Sequence, residues 1–431
     1  MSSKSVLIVT YGFPPHIKSL GGAIRMLKLA EYLQRSGCNV RVLAARTPHI
    51  DTFGYEDLLR SLLVTFVDDP VAMAGARVFS KERGTQSAPA AAAVAGRAKA
   101  WLKRMVIEGL TPDTAVLTVR RMRRAAQEIV ASDPDMTVIT SGPPHSIHLV
   151  GSWLKRRFPS IYWLADYRDS WNGSSLFRKN NAALQKLNEY FERHVLGKCD
   201  GFTYISQPML GKAAAYGGES LRKKARLIAN GFDAALLEQF PVKRAEPGLL
   251  RLGYFGAIDD GKDSYRNPQS IFKAIEHLPH LPIRIEFYGA INISEEWQRR
   301  LGDRILVGPR LTHQEVFEKM SEMDGLLLLH TREDGADEVV TGKVFEYIAS
   351  RLPIVSIGPA TMAVNMLLQG DPLFYAAVHT DLVEIAGVFG KLAELKQSNA
   401  LPERAMQQVA SFSRERQFAT LLDAIQARRI G

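Results

Sequence analysis

The stretch SVLIVTYGFPPHIKSLGGAIRMLKLAEYLQRSG, residues 5–37, decides the fold. It begins with an apolar run that has the composition of a buried strand, followed by a loop rich in Gly and Pro. Ile24, Leu27 and Leu33 then recur with helical spacing until Gly37, which marks a helix end. Because the strand-like segment NVRVLAA follows at once, the sequence predicts a β-α-β unit.

A second segment repeats this plan much later. LLRLGYFGAIDDGKDSYRNPQSIFKAIEHL, residues 249–278, predicts a strand ending at Gly256 and a polar loop. A helix then opens with Asn267 as its N-cap and Pro268 in its first turn. The strand-like IRIEFYG comes next, and the preceding FPVKRAEPGLL reads as a linker. A second α/β domain is therefore expected to begin near residue 250.

Other buried-strand patterns are MTVITSG, SIYWLAD and GFTYIS in the first half, and DGLLLLH and PIVSIG in the second. Strands that alternate with helices predict an α/β protein of two doubly wound, Rossmann-like domains that face one another across a cleft. Ligands of such sheets bind beyond the carboxyl ends of the strands. The loops after Thr10, Thr140, Ala165, Phe255 and Leu329 are therefore expected to carry the chemistry.

The composition fits this architecture. A chain of 431 residues with 46% hydrophobic residues is long enough for two or three domains with sizeable cores. Its two cysteines, Cys38 and Cys199, cannot form a disulfide framework, which indicates a reducing, cytoplasmic environment. We find neither a signal peptide nor a run of about 20 apolar residues that would span a membrane.

The formal charge of +10 points to an anionic partner: nucleic acid, a membrane surface or a phosphorylated small molecule. Much of the excess lies in RAKAWLKRM, VRRMRR and WLKRRFP, where basic and apolar residues alternate with helical spacing. No nucleic-acid-binding motif accompanies them. The region from Arg97 to Arg124 is therefore either a solvated basic face or a peripheral contact with the inner face of the cell membrane.

Gly21 and Gly22 precede the first helix and allow a ligand to approach its free N–H groups closely. Arg25, one turn into the helix, could add a fixed charge. These residues predict a binding site for phosphate or for an acceptor, and the alternative is a glycine turn without a ligand.

Two strand ends in the first half carry polar clusters. SGPPHSIH places His145 where it could bind a ligand or transfer a proton, although a structural role is the common one for a single histidine. ADYRDSW brings together Asp166, Arg168, Asp169 and Trp171. They form either an ion-pair network or an acceptor site, with carboxylates that bind sugar hydroxyls and an indole that stacks on a ring.

In the second half, Lys262 and Arg266 lie just before a predicted helix. Two cations at a helix N-terminus suit a leaving diphosphate, whose charge grows as its bond to carbon breaks. The alternative is a solvated loop.

The stretch EVVTGKVFEYIAS, which begins at Glu338, contains anion-binding and acidic residues together. Thr341 can cap the helix that follows, Gly342 leaves its N–H groups open and Lys343 adds charge, so phosphate is expected here. Glu338 and Glu346 are expected to accept hydrogen bonds from hydroxyl groups on either side. No metal site is predicted, because the chain lacks zinc-ligand spacing and its Asp-x-Asp at 133–135 precedes a strand.

These motifs together resemble the retaining, nucleotide-sugar-dependent glycosyltransferases of the GT-B fold, family 4. The opening stretch is similar to the family's N-terminal glycine loop, ANGFDAALL to the element that closes its first domain, and GKVFEYIASRLPIVS to its donor-site helix and strand. Glu338 and Glu346 reproduce its Glu-x7-Glu spacing. SGPPHS with ADYRDSW resembles a branch that works on bacterial cell-surface polysaccharides.

The resemblance implies roles for individual residues. Glu346 would bind the donor ribose, Glu338 would lie by the donor sugar, and Lys262 and Arg266 would lie beside its diphosphate. The expected catalytic set is completed by His145. The donor site is expected to include Gly21, Gly22, Gly256, Arg310, Thr341, Gly342, Lys343 and Glu346. Val339 and Val340 depart from the family pattern, which makes them candidates for setting donor preference.

The implied reaction moves a hexosyl or N-acetylhexosaminyl group from a UDP or GDP sugar to a glycan or lipid-linked acceptor, without a metal or other cofactor. The tail SFSRERQFATLLDAIQ resembles the family's last helix, which returns to the first domain. Residues 1–240 with 408–431 are thus expected to form the acceptor-binding domain, and residues 250–407 the donor-binding domain. Two alternatives stay open: a nucleotide-sugar epimerase of the same fold, and a non-catalytic nucleotide-sugar-binding scaffold.

Overall fold

The computed structural model describes residues 4–18, 20–74, 108–234, 248–261, 264–333, 335–337, 340 and 342–427. The chain divides into two compact units. Unit 1 comprises Met1–Ile228 with Phe418–Gly431, and unit 2 comprises Ala229–Gln417. Unit 1 thus covers 1–228 with 418–431, where 1–240 with 408–431 was expected, and unit 2 covers 229–417, where 250–407 was expected.

Unit 1 is built on a parallel sheet that has seven strands in the described residues. The strands are β1 (Ser5–Thr10), β2 (Asn39–Arg46), β3 (Leu63–Asp68), β4 (Thr137–Gly142), β5 (Tyr162–Tyr167), β6 (Gly201–Tyr204) and β7 (Ala225–Leu227), in the order β3-β2-β1-β4-β5-β6-β7. β1 lies in the middle, with Val6 beside Val40 of β2 and Thr137 of β4. The predicted parallel, doubly wound sheet is confirmed.

The helices of unit 1 are α1 (Ile24–Arg35), α2 (Glu56–Ser61), α3 (Val116–Ala131), α4 (His148–Arg157), α5 (Ala182–Lys198), α6 (Gln207–Gly217) and α7 (Glu219–Lys224). α1 buries Met26, Leu27 and Leu33 against one face of the sheet, where Val6 and Ile8 lie. α3 to α7 share a separate core on the other face. The first β-α-β unit is therefore as predicted, with a helix that ends just before Gly37.

Unit 2 contains a second parallel sheet, of which the described part of the chain provides six strands. Its strands are β8 (Leu250–Phe255), β10 (Ile283–Tyr288), β12 (Ile305–Gly308), β13 (Gly325–Leu329), β14 (Ile354–Gly358) and β15 (Phe374–Val378), in the order β12-β10-β8-β13-β14-β15. The short strands β9 (Ile258–Asp259) and β11 (Ile291–Asn292) pair separately. β8 is central, between β10 and β13, so its carboxyl end opens at the middle of the sheet.

The helices of unit 2 are α8 (Gln269–Glu276), α9 (Glu295–Leu301), α10 (His313–Ser321), α11 (Gly342–Ala349), α12 (Ala363–Leu367), α13 (Leu382–Gln397) and α14 (Met406–Ala410). α8 begins one residue later than a helix capped by Asn267 would, but the Asn267 side chain still accepts a hydrogen bond from the Gln269 N–H at 2.9 Å. α10 begins with a capping box formed by Thr312 and Glu315.

The helix α15 (Arg414–Ala427) carries the chain from unit 2 into unit 1. Phe418, Leu421 and Ile425 lie in the same core as α1 and β1. Among the helices of the described residues, none is long and apolar enough to cross a bilayer.

Candidate functional site

A pocket of about 370 Å³ lies in unit 2, where β8 and β10 end. Its lining comes from the ends of these two strands and the turns after them, from the segment before α10 and the start of that helix, and from the first turns of α11. The lining residues are Phe255, Gly256, Ala257, Tyr288, Gly289, Ala290, Arg310, Leu311, Val316, Lys343 and Glu346. Four residues predicted from sequence to bind the donor, Gly256, Arg310, Lys343 and Glu346, therefore line one pocket.

The two strand-end turns approach each other closely because both carry glycine. Gly256 and Gly289 have φ angles of 153° and 135°, which other residues rarely adopt. A side chain at Gly289 would overlap the backbone of Gly256. The Gly256 N–H also donates to the carbonyl of Tyr288 at 2.8 Å, so the turns form one wall of bare backbone beside the pocket.

Lys343 projects from the first turn of α11 into this pocket. Its ammonium lies 5.4 Å from the centre of the Tyr254 ring. Burial lowers the pKa of Lys343 to about 8; the charge of Arg266 acts in the same direction, and Glu346 acts against it. A cation that has lost this much hydration is best stabilised by an anion in the pocket.

Glu346 lies one helical turn after Lys343, on the same side of α11. The helix is anchored to β8 by the Phe255 N–H, which donates to the Tyr347 hydroxyl at 3.2 Å. α11 therefore presents a cation and a carboxylate to the same pocket, about 5 Å apart along its axis.

Arg266 lies close to this pocket, although it is not part of its lining. Its guanidinium stacks over the ring of Tyr265, 4.8 Å from the centroid. Its charge lowers the pKa of Lys343, after burial, and also contributes to the low pKa of His330. Arg266 and Lys343 therefore concentrate positive charge at the carboxyl ends of β8 and β13.

In unit 1 the predicted acceptor residues form an internal network. Ser141, Asp166 and Thr203 are register neighbours on β4, β5 and β6. Asp166 accepts hydrogen bonds of 2.7 Å from both hydroxyls and pairs with Arg25 at 2.9 Å. Burial alone would raise the pKa of Asp166, but Arg25 and these hydrogen bonds hold it below its usual value.

Arg25 and Asp166 are each only 3% exposed. Neither is available to an acceptor in this structure. The ion-pair network, which the sequence left open as an alternative, is thus the arrangement found, and the expected binding roles of these two residues are not supported.

Arg168, which follows β5, contacts the loops that follow β1 and β4. Its guanidinium donates to the carbonyl oxygens of Gly22 and Pro143, and its Nε donates to that of Gly142 at 3.3 Å. Gly22 therefore contributes its carbonyl to a structural contact, while Gly21 and Gly22 are both exposed at the surface of unit 1. Asp169 is half-buried.

His145 lies in a buried aromatic cluster of unit 1. It is 1% exposed and stacks on Trp171, with ring centroids 5.0 Å apart and planes 6° apart. Phe177 packs edge-on at 4.8 Å, and His148 lies at 5.9 Å. Within the described part of the chain, neither ring nitrogen of His145 has a partner in hydrogen-bonding geometry. Burial holds the pKa of His145 well below the usual range, although the Ser170 backbone acts in the opposite direction.

This environment does not suit the proton transfer expected of His145, because burial disfavours a charged imidazolium there. Trp171 is likewise 1% exposed and donates its indole N–H to Asn188 at 2.8 Å. With one face on His145, Trp171 is a core residue and does not offer a stacking surface for a sugar.

Comparison with known proteins identifies the class of enzyme. Residues 21–231 match the family model of the glycosyl transferase 4-like domain. The chain is therefore a glycosyltransferase that carries a family 4-like domain over these residues, and its fold is GT-B. No curated protein sequence is significantly similar to it.

Solved structures share the fold of this glycosyltransferase along nearly its whole length. Sucrose-phosphate synthase of Thermosynechococcus elongatus has a TM-score of 0.63 at 13% identity, with 99% of each chain covered. A glycosyltransferase of Rickettsia africae has a TM-score of 0.62 at 11% sequence identity, with 99% of this chain and 98% of that chain covered. HepE of Anabaena, in complex with UDP-glucose, has a TM-score of 0.57 at 14% sequence identity, with 97% of this chain and 99% of that chain covered.

Three of the predicted site residues, Lys262, Glu338 and Thr341, lie outside the described residues, as does Val339. Gly342 opens α11 and is exposed, whereas Val340 is buried in the core of unit 2. The described residues of the glycosyltransferase contain no cluster of three metal-ligating side chains.

Sequence reasoning missed a buried carboxylate in unit 1. Glu192 of α5 accepts hydrogen bonds from the N–H and the side-chain amide of Asn172, at 3.0 and 2.7 Å. Burial raises its pKa to about 7, against the lowering effect of these hydrogen bonds. The available signal was its position on the inward face of α5, in line with Asn188 and Val195.

Proposed function

We propose that this glycosyltransferase moves a hexosyl or N-acetylhexosaminyl group from a UDP or GDP sugar to a glycan or lipid-linked acceptor, with retention of anomeric configuration. We place it in the cytoplasm, in the assembly of cell-envelope polysaccharide. The observation that carries the proposal is the unit 2 pocket, where Lys343 and Glu346 lie beside bare glycine backbone.

Lys343 is assigned to the donor diphosphate. A largely buried cation beside two glycine turns suits an anion, because the turns let phosphate oxygens approach without a steric barrier. Glu346 is assigned to the ribose, since a carboxylate can accept hydrogen bonds from two neighbouring hydroxyls. The spacing of one helical turn places the two groups in the order phosphate, then ribose, along α11.

The remaining lining suits a nucleobase. Leu311 and Val316 provide apolar surface, and Phe255 and Tyr288 stack on each other at 5.3 Å. Arg310 is exposed at the pocket and has donors for base or phosphate oxygens. A pocket of about 370 Å³ is within the range of small-molecule sites.

In the proposed reaction, the acceptor hydroxyl attacks the anomeric carbon on the face from which the diphosphate leaves. The bond from carbon to phosphate oxygen breaks, and the leaving phosphate takes the hydroxyl proton. Lys343 and Arg266 stabilise the negative charge that grows on the diphosphate, so their effect is larger in the transition state than in the ground state. Glu338 remains the proposed neighbour of the donor sugar, and Lys262 a further cation for the diphosphate.

Transfer is tested by incubating the full chain with a panel of radiolabelled UDP and GDP sugars and a lipid extract from bacterial envelopes. Label is expected in the lipid or glycan fraction with one donor class, and NMR of the product is expected to show the anomeric configuration of the donor. Glu346→Gln is expected to lower binding of both the nucleotide sugar and the free nucleotide. Glu394→Gln, at an exposed position of α13, is the matched control.

Two outcomes would contradict the proposal. Conversion of the donor to its epimer without an acceptor would assign the pocket to an epimerase. Donor binding without hydrolysis or transfer to any acceptor would favour a binding scaffold.

A further inference from the structure

Helices α3, α4 and α5 lie side by side on one face of the unit 1 sheet. All three contribute to the same core, with Met122 of α3, Leu154 of α4 and Val195 of α5 buried in it. α4 packs against both α3 and α5. The outward sides of these helices therefore form one continuous surface.

This surface is strongly basic. The three helices carry ten Lys or Arg residues and three Glu. Some of these cations have structural contacts: Lys155 pairs with Asp200 at 2.9 Å, and Arg193 pairs with Glu189 at 3.1 Å. Six exposed cations form no ion pair within the described residues: Arg120, Arg124, Arg156, Arg157, Lys186 and Lys198. We call these six the basic face.

The contacts of α3 revise the residues expected to meet a membrane. Arg121 donates to the carbonyl of Asp68 at 2.8 Å, and Arg123 to that of Leu149 at 3.2 Å. These two arginines thus make structural contacts within unit 1. Residues 97–107, the first part of the predicted basic helix, lie outside the described residues.

Positive charges lie close together across the helix boundaries. The pKa of Arg123 is lowered by burial and then by the charge of Arg156. The pKa of His194 is lowered by burial and then by Lys198 and Arg156. Arg156 of α4 therefore lies near cations of both α3 and α5, an arrangement that repels itself unless an anionic surface or counterions offset it.

Apolar side chains are exposed among these cations. Tyr190 is 56% exposed, Leu117 46% and Leu187 40%. Leu187, Tyr190 and His194 follow one another on the outward side of α5, at spacings of three and four residues. Aromatic and aliphatic groups beside unpaired Lys and Arg are the combination that interfacial membrane contacts use.

We propose that the basic face binds the surface of a bilayer that contains anionic phospholipids, with Leu187 and Tyr190 entering its interfacial region. This partner goes beyond the proposed sugar transfer and does not depend on it. Nucleic acid also carries phosphates and has bases that can stack on Tyr190, but the exposed Leu117 and Leu187 offer it neither hydrogen bonds nor a stacking surface. A lipid interface uses both the charges and the apolar groups.

The test is flotation of the full chain with vesicles of phosphatidylcholine alone, and of phosphatidylcholine and phosphatidylglycerol in equal parts. Wild-type protein is expected to float only with the anionic vesicles and to be released by salt. Each cation near an anionic surface contributes about fivefold to binding. The pair Arg124→Gln and Arg156→Gln should therefore weaken binding about twenty-fivefold.

The matched control is Arg35→Gln with Lys273→Gln, which removes two exposed cations from α1, on the other face of the sheet, and from unit 2. Circular dichroism and thermal unfolding check that each variant is folded. A second measurement needs no variant: anionic vesicles should protect Lys186 and Lys198 from acetylation by acetic anhydride, while Lys273 should stay reactive.

Equal binding to both kinds of vesicle would overturn the proposal, as would equal losses in the two variant pairs. Displacement of the wild-type protein from vesicles by low concentrations of double-stranded DNA would assign the face to nucleic acid instead. None of these results depends on sugar transfer, so the two proposals fail separately.

Discussion

The ammonium group of Lys343 occupies the space in which a side chain on Gly256 would lie. The glycine at the end of β8 and the lysine at the start of α11 therefore depend on each other, although 87 positions separate them in the sequence. Replacement of Gly256 must move the cation that faces the pocket, and the positive φ of 153° adds backbone strain.

Gly256→Ala is accordingly expected to weaken nucleotide-sugar binding. Loss of one charge-assisted contact to phosphate corresponds to about tenfold or more in affinity. Isothermal titration with UDP and GDP sugars measures the effect. Gly390→Ala is the control, because a side chain at that position of α13 would meet open space; an equal loss in both variants would contradict the relationship.

The affinity for the donor is expected to fall as the pH rises above about 8, the pKa to which burial lowers Lys343. Below this pH the ammonium is charged and can pair with the diphosphate. Above it, binding has to be coupled to the uptake of a proton, which costs free energy. Nucleotide sugars are suitable probes, since their esterified diphosphate does not titrate in this range.

Lys343→Met is expected to bind more weakly at pH 7 and to show little change in affinity between pH 7 and about pH 8.5, below the range in which the uracil and guanine rings lose a proton. If the variant retains the pH dependence of the wild-type protein, the titrating group is not Lys343.

Arg25→Leu is expected to destabilise unit 1. The substitution leaves the Asp166 carboxylate buried without its cation, and breaking a buried ion pair in this way typically costs about 3–5 kcal/mol. Urea unfolding followed by circular dichroism measures it. Arg35→Leu, at an exposed position of the same helix, should change stability by less than about 0.5 kcal/mol. Adding Asp166→Asn to Arg25→Leu should recover part of the loss.

Acid is expected to weaken unit 1 through His148. Burial lowers the pKa of this histidine to about 3 in the folded chain, below its ordinary 6.5. Between these values the unfolded state binds the proton and the folded state does not, so the free energy of unfolding falls as the pH decreases below 6.5.

At pH 5 this effect amounts to about 2 kcal/mol relative to neutral pH. His148→Phe removes the titrating group and should reduce the difference between unfolding at pH 7 and pH 5. An unchanged difference would contradict the assignment.

Much of the architecture could be read from the chain because its signals are local. Apolar runs such as SVLIVT and DGLLLLH specify strands, and glycines near residues 21 and 37 mark where α1 begins and ends. The pocket residues Lys343 and Glu346 could also be predicted from the sequence, because residues three positions apart in a helix lie on the same side of it.

The surroundings of Asp166 and Trp171 in unit 1 could not be predicted in the same way. Asp166 meets Ser141 and Thr203 because three parallel strands adopt one register, and register depends on the packing of both faces of the sheet. The polar loop residues around Trp171 could point outward or inward. Their direction is set by tertiary partners such as His145 and Asn188, which no local pattern identifies.

The passage of α15 into unit 1 constrains how the chain folds during synthesis. Phe418, Leu421 and Ile425 complete the core beside β1, yet they are translated only after all of unit 2. While the chain is being synthesised, part of the apolar surface of residues 1–228 stays uncovered until α15 has been made. The residues of unit 2, by contrast, are contiguous in the sequence. The N-terminal unit is therefore the last to be finished, and the stretch of chain that starts the fold depends on the one that ends it.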